Sequence, residues 1–186
     1  MSAPDLPSQD HFRDLDRWAL IAYAARCARR AFPFTTEWPE GREAAERYVL
    51  GAEYTAQTRP SRPHTEELIF CEGDPDPFKE PIARVGVQSA RSAATAWLAA
   101  RAENASTRLA LVYAAIHHSV DAHVRLKIPR SAVRSALNRD FDRLILFRLC
   151  SPESGVPAGI FTDRGWLFFP RGDDRDDPEN SPARLR

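Results

Sequence analysis

The residues best suited to chemistry lie together in the run HHSVDAH at positions 117–123, which holds three of the chain's five histidines and an aspartate. On a helix each residue advances about 100° around the axis, so His117 and Asp121 are one turn apart and His118 lies three residues before Asp121. These three share a face. Imidazole nitrogens and a carboxylate oxygen are the ligand chemistry of zinc and other divalent ions, which makes His117, His118 and Asp121 the candidate metal patch. A catalytic centre would need a further ligand, and His64 is the unplaced histidine that would supply it. The plainer expectation for the same residues is a polar flank, hydrogen-bonded to solvent or to a neighbouring helix, with no metal and no cofactor. His123 falls within about 20° of Val112 and Ile116, which predicts a satisfied imidazole on the core stripe.

Other acidic pairs offer less. Asp140 and Asp142 in NRDFDR are two residues apart, do not face each other on a helix, and are expected on a solvated face with Arg139 and Arg143. Asp14 and Asp16 fail the same test and suit the positive end of a helix dipole. The sequence contains no GxxxxGK[ST] or GxGxxG phosphate loop, no GxSxG elbow and no HExxH helix, so those enzyme classes lose support. Cys27, Cys71 and Cys150 are widely spaced without a CxxC pair, as expected of reduced thiols in a cytoplasmic protein.

The elements that must position these residues follow from apolar spacing. Residues 1–10 are a loose arm. A first helix runs from about Asp10 to Phe32, with Trp18, Ile21, Ala25, Ala28 and Phe32 at spacings of three and four, and is apolar over so much of its circumference that it should be central. Pro33 ends it. The segment REAAERYVLGAEYTAQ is a second helix, and residues 59–81, with five prolines, form a long connection. Pro81 opens a third helix reaching Asn104, rich in small residues that admit a close neighbour. STRLALVYAAIHHSVDAHVRL is the fourth. The fifth, after Pro129, carries Val133, Leu137, Phe141 and Leu144 in register. Residues 159–169, GIFTDRGWLFF, are expected as an extended aromatic strap and 171–186 as a disordered charged tail. The prediction is one all-α domain over 1–170, a bundle of about five helices.

Composition agrees. A chain of 186 residues, 43% hydrophobic and 28% charged, has the proportions of one globular domain. No run reaches the ~18 apolar residues of a membrane span. The net charge of zero hides an asymmetry: −5 over residues 1–80, +7 over 81–150 and −2 over 151–186. The basic middle third either orients an acidic partner or pairs with the acidic first third inside the fold. With the arginines around residues 125–143 spread about the helix and the total neutral, nucleic acid is not the expected partner.

RWALIAYAARCARRAFPF at the start, YAAIHHSVDAH in an Ala-rich later helix, and DFDRLILFRL before an aromatic tail together resemble small helical bacterial proteins, among them proteins labelled as immunity proteins of toxin or defence systems. The resemblance implies a binding protein that neutralises or regulates a partner and carries over no site residues. The expected function is therefore a non-enzymatic protein-binding module, with Arg130 and Arg134 as candidate partner contacts. The alternatives are a metal-binding helical enzyme or sensor, and a homo-oligomeric structural protein using the small-residue third helix.

Overall fold

The computed structural model describes residues 6–13, 15–60, 83–150, 156 and 159–162. They form α1 (Gln9–Arg13), α2 (Arg17–Ala31), a 3-10 helix (Phe32–Glu37), α3 (Pro39–Thr58), α4 (Ala83–Arg101), α5 (Ala105–Arg125), α6 (Arg130–Cys150) and α7 (Gly159–Thr162). The fold is all-α, and five of these helices run for 15–21 residues. As its apolar circumference predicts, α2 is the central element and packs against α3, α4, α5 and α6. Its alanines at 19, 22, 24, 25, 28 and 31 are fully buried, which lets neighbouring backbones approach closely.

The first predicted helix is broken in two. Asp16 adopts an extended backbone and its Oδ1 accepts a hydrogen bond from the Ala19 N–H at 2.8 Å, so it caps the start of α2. Aspartate is among the best residues for that task because its short carboxylate reaches an orphan amide of the first turn. At the other end, Phe32–Glu37 tightens into a 3-10 helix around Pro33, with Thr35 Oγ1 donating to the Phe32 carbonyl at 2.7 Å. Helix α3 then begins at Pro39, earlier than the expected Arg42, because proline suits the first helical position and the Trp38 ring folds over the helix start. A Cβ on Gly41 would sit 2.1 Å from that ring.

The small residues of α4 are consumed inside the chain. Ser89, Ser92, Ala93, Ala96, Ala99 and Ala100 are buried, and Ser92 Oγ donates to the Ala115 carbonyl on α5 at 2.8 Å. The face expected to serve homo-oligomerisation is thus covered by α5 and α3. Trp97 lies on the α3 backbone, where a Cβ on Gly51 would meet its ring at 2.5 Å. Asn104 caps α5 by accepting from the amides of Ser106 and Thr107, and the Arg108 guanidinium donates to the Ala102 and Glu103 carbonyls at the end of α4.

Helix α6 packs on α2 and α5 through Val133, Ala136, Leu137, Phe141 and Leu144, the register its sequence predicts. Over Gly159–Thr162 the chain is a short helix where an extended strap was expected. Its Phe161 is buried against the core, and the crossing is tied down by the Val156 N–H donating to the Ala56 carbonyl at 3.3 Å. Most of the 59–81 connection, the rest of the strap and the charged tail lie outside the described residues.

Candidate functional site

Helix α5 presents the histidine run as its spacing predicts, with His117 exposed, His118 half-buried and His123 fully buried. His118 Nδ1 lies 2.7 Å from Gln88 Oε1 on α4. An amide oxygen only accepts, so Nδ1 carries the proton and Nε2 keeps its lone pair. Burial holds the His118 pKa below the ordinary imidazole range, the Arg91 cation pushes it further down, Asp121 pulls against them, and His117 adds a smaller downward push. Asp121 is turned to its own helix, where its Oδ2 accepts from Arg125 Nε at 2.7 Å. Among the described residues no three His, Cys, Asp or Glu side chains gather as a metal shell, and His64 lies outside those residues.

His123 is the core imidazole that its angle predicts. Its Nδ1 donates to the Ser119 carbonyl at 2.6 Å and the Phe34 ring meets it edge-on at 4.8 Å. Burial pushes its pKa down to about 4; the Ser119 hydrogen bond opposes that shift and the Arg30 cation reinforces it.

The deepest polar cluster is one that the sequence reading placed at the surface. Asp140 is only 3% exposed, and Arg30 grips its carboxylate with two hydrogen bonds, Nε to Oδ2 at 2.5 Å and Nη2 to Oδ1 at 2.7 Å. Arg26 lies beside them, its Nε 3.4 Å from Asp140 Oδ1 and its Nη1 donating to the Phe161 carbonyl at 3.4 Å. The expectation of a solvated face with Arg139 and Arg143 holds for Asp142 and fails for Asp140. The reason is register: Asp140 comes three residues after Leu137 and four before Leu144, on the stripe that faces α2. A signal was present in Arg26 and Arg30, one turn apart in a helix that is apolar over most of its circumference, since buried cations require a buried counter-charge.

This cluster joins α2 to α6. Burial pushes the Cys27 thiol far up and the Asp140 charge adds to the shift, against Arg30 and Arg26, which favours the protonated thiol. Burial likewise raises Tyr23, whose hydroxyl donates to the Leu137 carbonyl at 3.2 Å. Beside it lies an aromatic cage. The Phe12 ring, 1% exposed, stands 5.4 Å from Tyr23, 5.2 Å from Tyr113 and 5.3 Å from Phe141, centroid to centroid. These rings come from α1, α2, α5 and α6.

The candidate partner contacts lie at the turn into α6. Lys127, in the left-handed conformation at φ 61°, and Arg130 are exposed, and Arg134 is half-buried on the flank. Arg139 and Arg143 occupy the outward face with Leu146, which is 62% exposed. No family model, curated protein or solved structure matches this chain.

Proposed function

We propose that the chain is a non-catalytic protein-binding module, an immunity or regulatory subunit of a bacterial toxin or defence system, that meets an acidic partner through the basic side of α6. The observation that carries this reading is the way buried charge is spent. Arg26 and Arg30, two bases from the acidic first third, consume Asp140, an acid from the basic middle third. That pairing leaves the surface of α6 and its approach more basic, with Lys127, Arg130, Arg139 and Arg143 all exposed. A field of one sign steers an oppositely charged partner and falls away with salt. Charge reversal at Arg130 and Arg134 is expected to weaken partner binding, measured by titration calorimetry across a salt series. Affinity that is flat from low to high salt argues against the interface.

A second reading, a divalent-metal site on α5, is favoured by one contact. The contact with Gln88 suits the His118 tautomer whose Nε2 lone pair would take a metal, with His117 and Asp121 on the same side of the helix. A metal there would take Asp121 from Arg125. Zinc is then expected to raise the melting temperature of the protein but not of His118→Ala. Identical melts with and without zinc dispose of this reading.

A further inference from the structure

Helix α3 packs on α2 and α4, and α6 packs on α2 and α5, so each keeps an outward face. On α3 that face carries Glu43, Glu46, Arg47 and Leu50, with Tyr54 one turn further; on α6 it carries Arg139, Asp142, Arg143 and Leu146, all exposed. A single leucine in solvent calls for no explanation. Here, however, the large apolar side chains exposed among the described residues are Leu50, Tyr54 and Leu146, and all three lie on these two faces. The faces also share one geometry, since positions 43, 46, 47 and 50 have the spacing of 139, 142, 143 and 146. In each set the first and last residues are seven apart, about 10.5 Å along the axis, and lie near the midline of the face. The middle two diverge by about 50° to either side.

When two helices lie parallel and face to face, the left rim of one meets the right rim of the other. With Leu50 set against Leu146, Glu43 then faces Arg139, Glu46 meets Arg143, and Arg47 meets Asp142, so every charge finds its opposite. The same register of α3 on α3, or of α6 on α6, sets Glu43 on Glu43 or Arg139 on Arg139. We infer that α3 of one copy of this chain docks, parallel and in this register, on α6 of a second copy. The leucines bury apolar surface and the flanking pairs fix partner and direction, as charges beside a helix seam do. The Glu43–Arg47 pair within α3 is exposed and 3.9 Å long, a weak contact that gives way to the new ones. Because α3 meets α6 and not itself, each copy offers one face and receives one. This contact goes beyond the protein-binding reading, whose Arg130 and Arg134 lie about 140–180° around α6 from Arg139.

The test is sedimentation velocity on the full chain at low salt over a range of protein concentrations. Wild type is expected to gain mass with concentration and to lose part of it in high salt, where the charge pairs are screened. Glu43→Arg/Glu46→Arg makes the α3 face basic, and Arg139→Glu/Arg143→Glu makes the α6 face acidic. Each variant, shown by circular dichroism to keep its helices and its melt, is expected to associate with itself at least about tenfold more weakly. An equal mixture of the two restores the association, because each reversed face finds its opposite on the other variant. A wild type that is monomeric throughout overturns the inference, in favour of a different protein as the occupant of these faces. A mixture that stays monomeric, or a double variant that associates as wild type does, also overturns it. Should a double variant not fold, Leu146→Ser decides, since it leaves every charge in place: weakened association supports the contact and unchanged association overturns it. Arg130→Glu/Arg134→Glu is expected to self-associate as wild type does, so a failure of this contact and a failure of the protein-binding reading are read on different variants. Loss of self-association in that variant would overturn the register.

Discussion

Asp140 and Asp142 stand two residues apart and differ in almost everything else. Asp142 is solvated, whereas Asp140 neutralises a guanidinium pair in the interior. Asp140→Asn keeps the shape and removes the charge, so two buried cations lose their counter-ion; a loss of about 3–5 kcal/mol is expected. Asp142→Asn should stay within about 0.5 kcal/mol of wild type in the same urea titration. His123 makes a pH-dependent contribution. Its folded pKa of about 4 lies below the ordinary value, so the unfolded chain takes up the proton first as pH falls. The stability is intact above about pH 6.5 and declines toward pH 4, by roughly 3 kcal/mol for the full shift. His123→Leu should flatten the stability profile between pH 6.5 and 5, and an unchanged slope would show that His123 is not its source.

At the scale of elements, one glycine decides how α3 meets α4. Alanine at position 51 would gain about 1 kcal/mol of helix propensity, yet its methyl would press 2.5 Å from the buried Trp97 ring. Overpacking of that kind costs about 1–3 kcal/mol, so Gly51→Ala should lower the denaturation midpoint. A raised midpoint would mean that the ring moves aside. The helices themselves were legible because apolar residues recur at three and four: Val133, Leu137, Phe141 and Leu144 identify the inner face of α6 from the sequence alone. The same register puts Asp140 on that face, whereas its spacing from Asp142 says only that the two carboxylates do not face each other. Its partners are 110 residues away, and periodicity assigns faces without assigning neighbours. The break before α2 has a related cause. Asp14 and Asp16 suit the start of a helix, and the helix that Asp16 caps is α2, which begins at Arg17 and not near Asp10. His123 is legible because the face it lies on follows from the period of its own helix, and that face is the buried one.

For the whole molecule, the charge asymmetry along the chain is only partly cancelled by folding. Arg29 pairs with Glu53 at 2.7 Å and Arg125 with Asp121 at 2.7 Å, each within its own third of the chain, and Asp140 is withdrawn from the basic third into the core. What these pairs leave at the surface of α6 is net basic, with Arg130, Arg139 and Arg143 exposed against Asp142. The most direct test of a protein-binding module is to capture partners on tagged full-length wild type and on the Arg130→Glu/Arg134→Glu double variant in parallel, with quantitative mass spectrometry. One near-stoichiometric protein is expected on wild type, depleted about tenfold on the variant, the equivalent of about 1.4 kcal/mol in binding. Capture of no near-stoichiometric protein by wild type, or of the same protein in equal amount by both, would contradict it.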